Sequence, residues 1–137
     1  MVSGGFQTQV KLLLDTHTFL WWNDANPRLS KKALVLLADP SNTLLLSVVS
    51  AWEIVLKFQA GKLRLTDSPS VYIPTRIAHY AMKALPVTLS HVLAAESLPL
   101  HHRDPFDRLL IAQATIEGVP ILSADPAFRR YAVKILW

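Results

Sequence analysis

Five acidic side chains, Asp15, Glu53, Asp104, Asp107 and Asp125, sit where apolar runs end or helices begin. Asp15 closes the run Val10-Lys-Leu-Leu-Leu14, Glu53 follows the run Thr43–Ser47, and Asp125 follows Val119-Pro-Ile-Leu-Ser123. Asp104-Pro-Phe-Asp107 opens the clearest helical pattern of the chain. Two carboxylates ~4 Å apart repel by about 4 kcal/mol at an effective dielectric near 20. Three or four in one pocket therefore need protons or a cation. Oxygen donors without a His/Cys set favour Mg²⁺, with Mn²⁺ as the alternative, over zinc. Such a site suits phosphodiester hydrolysis, because a bound divalent ion polarises a phosphoryl oxygen and activates water.

Each acid also has a purely structural use. Ser50 and Glu53 have capping-box spacing, and Glu53 precedes Lys57 by four residues, a favourable helical pair. Asp104 before Pro105 makes an N-cap with proline at the first helical position, which leaves Asp107 facing the helix dipole. Asp125 before Pro126 can cap in the same way. Asp15 has a weaker capping rationale and ends a buried strand, where an unpartnered charge is costly. Asp107 heads a line continued by Ile111 and Ala114, whereas Arg108, Ala112 and Thr115 form the expected wet stripe.

The elements that would gather these acids follow from the pattern. Strands are expected at 10–14, 43–47, 119–123 and 132–136, with a short edge strand at 84–87. Helices are expected at 16–23, 30–38, from Ser50 to Gly61, over 68–84, over 90–97 and from Asp104 to Glu117, closed by Gly118. Strands alternating with helices indicate an α/β fold, a four- to five-stranded parallel sheet flanked by helices. In such a sheet every strand ends on one edge, where ligands bind. A single domain over residues 10–137 is expected, preceded by a short tail, residues 1–9.

Composition narrows the class. Of 137 residues, 51% are hydrophobic and 18% charged, and the mean hydropathy is +0.28. That is enough for a packed core and excludes global disorder. The absence of cysteine removes disulfides, zinc-thiolate sites and thiol nucleophiles. The longest apolar run, Leu44 to Trp52, carries two serines and is too short to span a membrane. Residues 1–10 lack a secretory pattern, so a cytoplasmic protein is expected. Net charge is +4, from fourteen Lys and Arg against ten Asp and Glu. With four acids in one pocket, the six left elsewhere face fourteen cations. A basic exterior around an acidic pocket suits a polyanion.

Four ordered segments carry a family resemblance: Leu14-Asp-Thr-His-Thr-Phe-Leu-Trp-Trp22, Ser50-Ala-Trp-Glu-Ile54, His102-Arg-Asp-Pro-Phe-Asp-Arg-Leu-Leu-Ile-Ala-Gln-Ala114 and Leu122-Ser-Ala-Asp-Pro-Ala-Phe128. Together they resemble the PIN-domain ribonucleases, and within them the VapC-type toxins of toxin–antitoxin pairs. The resemblance covers residues 10–137 and implies a Mg²⁺-dependent endoribonuclease that cuts structured RNA, tRNA or rRNA. It further implies a cognate antitoxin and a homodimer. The family's four acids map onto Asp15, Glu53, Asp107 and Asp125, as both catalytic and metal-binding residues, with Asp104 the competitor for the third place. Asp15 and Asp107 would ligate metal, Glu53 would orient or deprotonate the attacking water, and Asp125 would hold a second ion or a metal-bound water. Thr16, Ser47 or Ser123 would supply a hydroxyl beside the acids. His102, Arg103 and Arg108, with His101, are the expected phosphate contacts, while Lys57, Lys62 and Arg64 are weaker ones. His17 is expected to pack on its helix, and Trp21, Trp22, Trp52 and Phe58 to serve core or dimer contact. Two other readings remain: a non-toxin metal-dependent phosphodiesterase, and a catalytically silent RNA-binding PIN-like module whose acids are all caps.

Overall fold

Leucine triplets build the centre of the fold. In the computed structural model, which describes residues 10–137, strand β1 (Lys11–Leu14) pairs with β2 (Thr43–Ser47) on one side and with β4 (Ile121–Leu122) on the other. Strands β3 (Lys83–Leu85) and β5 (Ile135–Leu136) complete a five-stranded, all-parallel sheet of order β3-β2-β1-β4-β5. The tail expected over residues 1–9 lies outside the described residues.

Side chains alternate across the pleat, so each leucine run serves two layers. Leu12, Leu14, Leu44, Leu46 and Leu122 point into a core shared with Phe19, Ala33, Leu37, Ile54 and Tyr72. These come from α1 (Thr16–Asn23), α2 (Lys31–Ala38), α3 (Val48–Gln59) and α4 (Pro69–His79). Leu13, Leu45 and Ile121 point the other way, onto Leu110, Ile111 and Ala114 of α6 (Pro105–Glu117) and onto Phe128 and Tyr131. A short helix, α5 (Leu89–Ala94), continued by a 3₁₀ turn at Ala95–Ser97, packs beside α6. Among the described residues no helix is long and apolar enough to cross a membrane.

The register aligns Leu14 with both Leu46 and Leu122, which brings Asp15, Ser47 and Ser123 to one edge of the sheet. Strand order reverses there, between β1 and β4, and the crevice of a parallel α/β sheet opens at such a point.

Several local expectations are corrected. Helix α3 starts at Val48 directly off β2, with Ser47 as its N-cap accepting from the Val49 N–H. Ser50 is therefore a buried residue inside the helix, and Glu53 belongs to no capping box. The edge strand is Lys83–Leu85 rather than 84–87, and α4 ends at His79, short of residue 84. Ala112 is fully buried, so the wet stripe of α6 is broken there.

A buried polar group ties the two layers together. Gln113, fully buried, accepts from the Ser47 hydroxyl at 2.5 Å and donates to the Pro86 carbonyl at 3.2 Å. Gln113→Leu keeps the volume but orphans both partners, and it should destabilise the fold by about 1–3 kcal/mol, readable as a lower urea midpoint with an unchanged slope.

Candidate active site

Five carboxylates converge on one small cleft. A cavity of about 100 Å³ at the C-terminal edge of the sheet is lined by Asp15, Glu53, Asp104, Asp107 and Asp125, with Thr16, His17, Lys57 and Phe128. Three of these acids cap helices, each with an oxygen engaged by backbone. Asp15 accepts from the Thr18 N–H at 2.7 Å and is the N-cap of α1, which corrects the expectation that it has little capping use. Asp104 caps α6, accepting from Phe106 and Asp107 N–H groups at 2.9 and 3.2 Å. Asp125 caps a 3₁₀ turn (Pro126–Arg130) through the Ala127 N–H at 2.9 Å. Capping and lining the cleft are compatible, because a carboxylate that caps with one oxygen still presents the other.

Glu53 and Asp107 cap nothing. Buried Glu53 is held from both sides: Thr16 Oγ1 donates to Oε1 at 2.7 Å and Lys57 Nζ to Oε2 at 2.6 Å. Half-buried Asp107 meets His102 Nε2 at 3.3 Å. Of the hydroxyls considered from sequence, Thr16 serves Glu53, and Ser123 donates to Asp15 Oδ2 while accepting from the Asp125 N–H at 3.0 Å. Ser47 turns away to Gln113.

The electrostatics follow from this crowding. Burial first, then the charges of Asp104, Glu53, Asp125 and Asp15, push the Asp107 carboxyl up to about 7. Burial also raises Asp15, against the opposing pull of its hydrogen bonds from Ser123 and Thr18. A carboxyl lifted that far by burial together with four neighbouring negative charges marks a shortage of positive charge. Among the described residues no three acid or imidazole groups stand as a ready-made ligand set. Their oxygens are instead tied outward, to Thr18, Ser123, Thr16, Lys57 and His102. The all-oxygen, charge-crowded donor set fits a hard divalent cation, which Asp15, Asp107, Glu53 and Asp125 could hold once Lys57 and His102 yield an oxygen each.

The expected phosphate contacts fare unequally. Arg103 is exposed and free to meet an anion. Arg108 is turned inward, donating to the carbonyls of Ala95, Leu98 and Pro99 at 2.8 to 3.3 Å; the expectation that it lies on an exposed stripe is corrected by these three acceptors. His102 bridges Asp107 and the Tyr131 hydroxyl, the latter at 2.8 Å from Nδ1. Buried Tyr131 has no sequence signal, since it follows a 3₁₀ turn at a distance of 24 residues from Asp107. Lys57 stands in the cleft, whereas Lys62 and Arg64 are exposed and line none of it.

Residues 12–134 match the sequence model of the PIN domain family. Ribonuclease VapC16 of Mycobacterium tuberculosis is 33% identical over 70 residues, 48% of this chain and 50% of that protein, so the match spans half the relative's length. The Rickettsia felis VapBC2 complex bound to a DNA fragment from its promoter contains a chain of similar fold, with a TM-score of 0.70 at 16% identity, covering 93% of this chain and 98% of that one. VapBC-1 from nontypeable Haemophilus influenzae contains another, with a TM-score of 0.64 at 12% identity and coverage of 93% and 97%.

The cleft's charge has a direct thermodynamic consequence. Between the ordinary carboxyl value of 3.8 and about 7, the folded protein holds a proton on Asp107 that the unfolded chain has released. Stability of the metal-free protein therefore falls as pH rises through that window. Asp107→Asn should raise the thermal midpoint in chelator by several degrees at pH 8, with the gap closing toward pH 4. For the wild type at pH 8, Mn²⁺ at a hundred times its dissociation constant should add about 2.7 kcal/mol, and Asp107→Asn should lose most of that gain.

Proposed function

The chain belongs to the PIN domain family, and from that premise we propose that it is a divalent-metal-dependent endoribonuclease, a VapC-type toxin acting in the cytoplasm. One observation carries this reading: five carboxylates from distant parts of the chain line one cleft, where burial and then their mutual charge lift Asp107 to about 7. A structural set of caps has no need of that arrangement, since Glu53 and Asp107 cap nothing in it.

Asp15 and Asp107 are the proposed metal ligands, with Asp125 as support and Asp104 as a weaker candidate because it is exposed and committed to its cap. When bound, Mg²⁺ or Mn²⁺ supplies Lewis acidity at the phosphodiester. The protein's own residues set the stage. Ser123 and the Thr18 N–H fix the Asp15 carboxylate. Thr16 holds one Glu53 oxygen, and Glu53 orients the attacking water and takes its proton. Lys57 neutralises the other Glu53 oxygen until substrate arrives and is placed to meet a phosphate afterwards. His102 and Arg103 approach the RNA backbone from the loop before α6.

Structured RNA, tRNA or rRNA, is the proposed substrate class, consistent with an outer surface whose cations outnumber its remaining acids. An antitoxin is the proposed inhibitor, a reading supported by the similar fold of chains in VapBC complexes, and a second copy of the chain the proposed partner. Uncovered apolar side chains support both: Trp52 and Leu56 on α3, and Leu89, Val92 and Leu93 on α5.

Asp15→Asn keeps the shape of the side chain and removes its charge. It should abolish cleavage, by at least about a thousandfold, while circular dichroism stays that of the wild type. Sequencing RNA 5′ ends after induction of each form checks this: new ends with the wild type and none with the variant are expected, and equal ends from both would overturn the assignment.

A further inference from the structure

Beside the acidic cleft lies a second, larger hollow of about 240 Å³, lined by Asp15, His17, Trp21, Ala124, Asp125 and Pro126. Three of those residues, Asp15, His17 and Asp125, also line the cleft, so the two share a wall. The hollow's other residues are apolar or aromatic. Trp21 is anchored: the Trp137 ring meets it edge-on at 6.1 Å, and the Arg28 guanidinium stands over it at 5.4 Å. The exposed His17 ring lies 5.8 Å from the indole at 28° between planes, so the two form one offset-stacked aromatic wall of the hollow.

We propose that this hollow is a nucleobase subsite, taking one unpaired base of the nucleotide that adjoins the phosphate in the acidic cleft. The inference rests on the nuclease reading and deepens it. Three features favour a base. An aromatic side chain already fixed in place offers a stacking surface without ordering cost, and stacking accepts any base because every base has a π-face. The volume is below the ~300 Å³ at which pockets for drug-sized ligands begin, which suits a single heterocycle better than a segment of protein helix. Asp125 on the shared wall can accept from an exocyclic amino group, and Arg28, over the Trp21 ring, brings a positive charge to the neighbourhood of the base. Asp125 engages its Oδ1 with the Ala127 N–H and has its second oxygen to offer.

Unpaired bases are what such a subsite would select. A base inside a duplex has both faces stacked and its edge paired, so the hollow would direct cutting to loops of a structured RNA.

Titration of ¹⁵N-labelled protein with small probes in Mg²⁺ tests this. The four tryptophans give four indole N–H resonances, and Trp21→Phe identifies that of Trp21. Adenosine 3′,5′-bisphosphate should move the Trp21 resonance, and ribose 3,5-bisphosphate, which lacks the base, should bind at least about fivefold more weakly. Trp21→Leu, at a residue that lines the hollow and not the acidic cleft, should weaken the base-bearing probe about fivefold and leave the abasic probe unchanged. Equal binding of the two probes would overturn the subsite, as would a Trp21 resonance moved only by arginine amide, which would make the hollow a docking point for a protein side chain. Wild-type cleavage of RNA separates the two readings: cleavage with no base-dependent response at Trp21 overturns the subsite alone. Loss of both overturns the subsite together with the nuclease, and a base-dependent response without cleavage leaves base binding standing and removes the nuclease.

Discussion

Like charges held close in a half-buried cleft govern this molecule. Backbone packing brings Asp15, Glu53, Asp104, Asp107 and Asp125 to one place, and no arrangement of their neighbours cancels the repulsion completely. The fold answers it piecemeal. Helix N-terminal N–H groups take one oxygen each of Asp15 and Asp104, hydroxyls of Thr16 and Ser123 take others, and Lys57 faces Glu53. What is left over adds to burial at Asp107, which caps nothing and has only the longer His102 contact, and the two together lift its carboxyl to about 7. Stability given up at this point is the physical sign of a site shaped for something other than folding.

The positions of the acids depend on the parallel sheet. Because Leu14, Leu46 and Leu122 are in register, each residue that follows begins a new direction of chain at the same edge. Two of those residues are a helix N-cap, Asp15 and Ser47, and the third, Ser123, supports both Asp15 and the Asp125 N–H. The edge is thus also where helix dipoles converge with their positive ends. That favours carboxylates at the starts of α1 and α6 and offsets part of the crowding. Glu53 comes from farther inside α3, more than one turn from its N-cap, and relies on Thr16 and Lys57 instead.

How much of this the chain discloses depends on the range of the interaction. Apolar runs ending in an acid are local, and with the rule that parallel strands share an ending edge they disclose the architecture and the meeting of Asp15, Glu53, Asp107 and Asp125. The Glu53–Lys57 pair is equally local, one helical turn. Ser50 misleads because Ser47, Ser50 and Glu53 all suit a helix start, and only the absence of any loop between β2 and α3 decides for Ser47. Arg108 and Ala112 mislead for a tertiary reason. The helix face that looks polar by periodicity is covered by α5 and by the 95–99 segment, whose carbonyls take the guanidinium. Tyr131 is invisible in the sequence as a site residue, since its link to the cleft runs through His102, 29 residues away.

The commitment of Arg108 changes where a polyanion can be held. A guanidinium satisfied by three carbonyls stiffens the loop that carries His102 and Arg103 into α6, and it leaves the positive charge nearest the cleft to Lys57 and exposed Arg103. Exposed Arg129 and Arg130 follow Phe128, which lines the cleft floor, and Arg130 leans on the His101 carbonyl at 3.2 Å. Arg130 thus sits beside the segment that leads into α6, while Arg28 stands over Trp21 in the wall of the neighbouring hollow. On the proposed nuclease reading, a strand of nucleic acid entering the acidic cleft would find Lys57 in its lining and its charge opposed by the five acids. The cleft is where a divalent ion would be needed, so the same arrangement that repels an anion in the metal-free protein would align it in the metal-bound one.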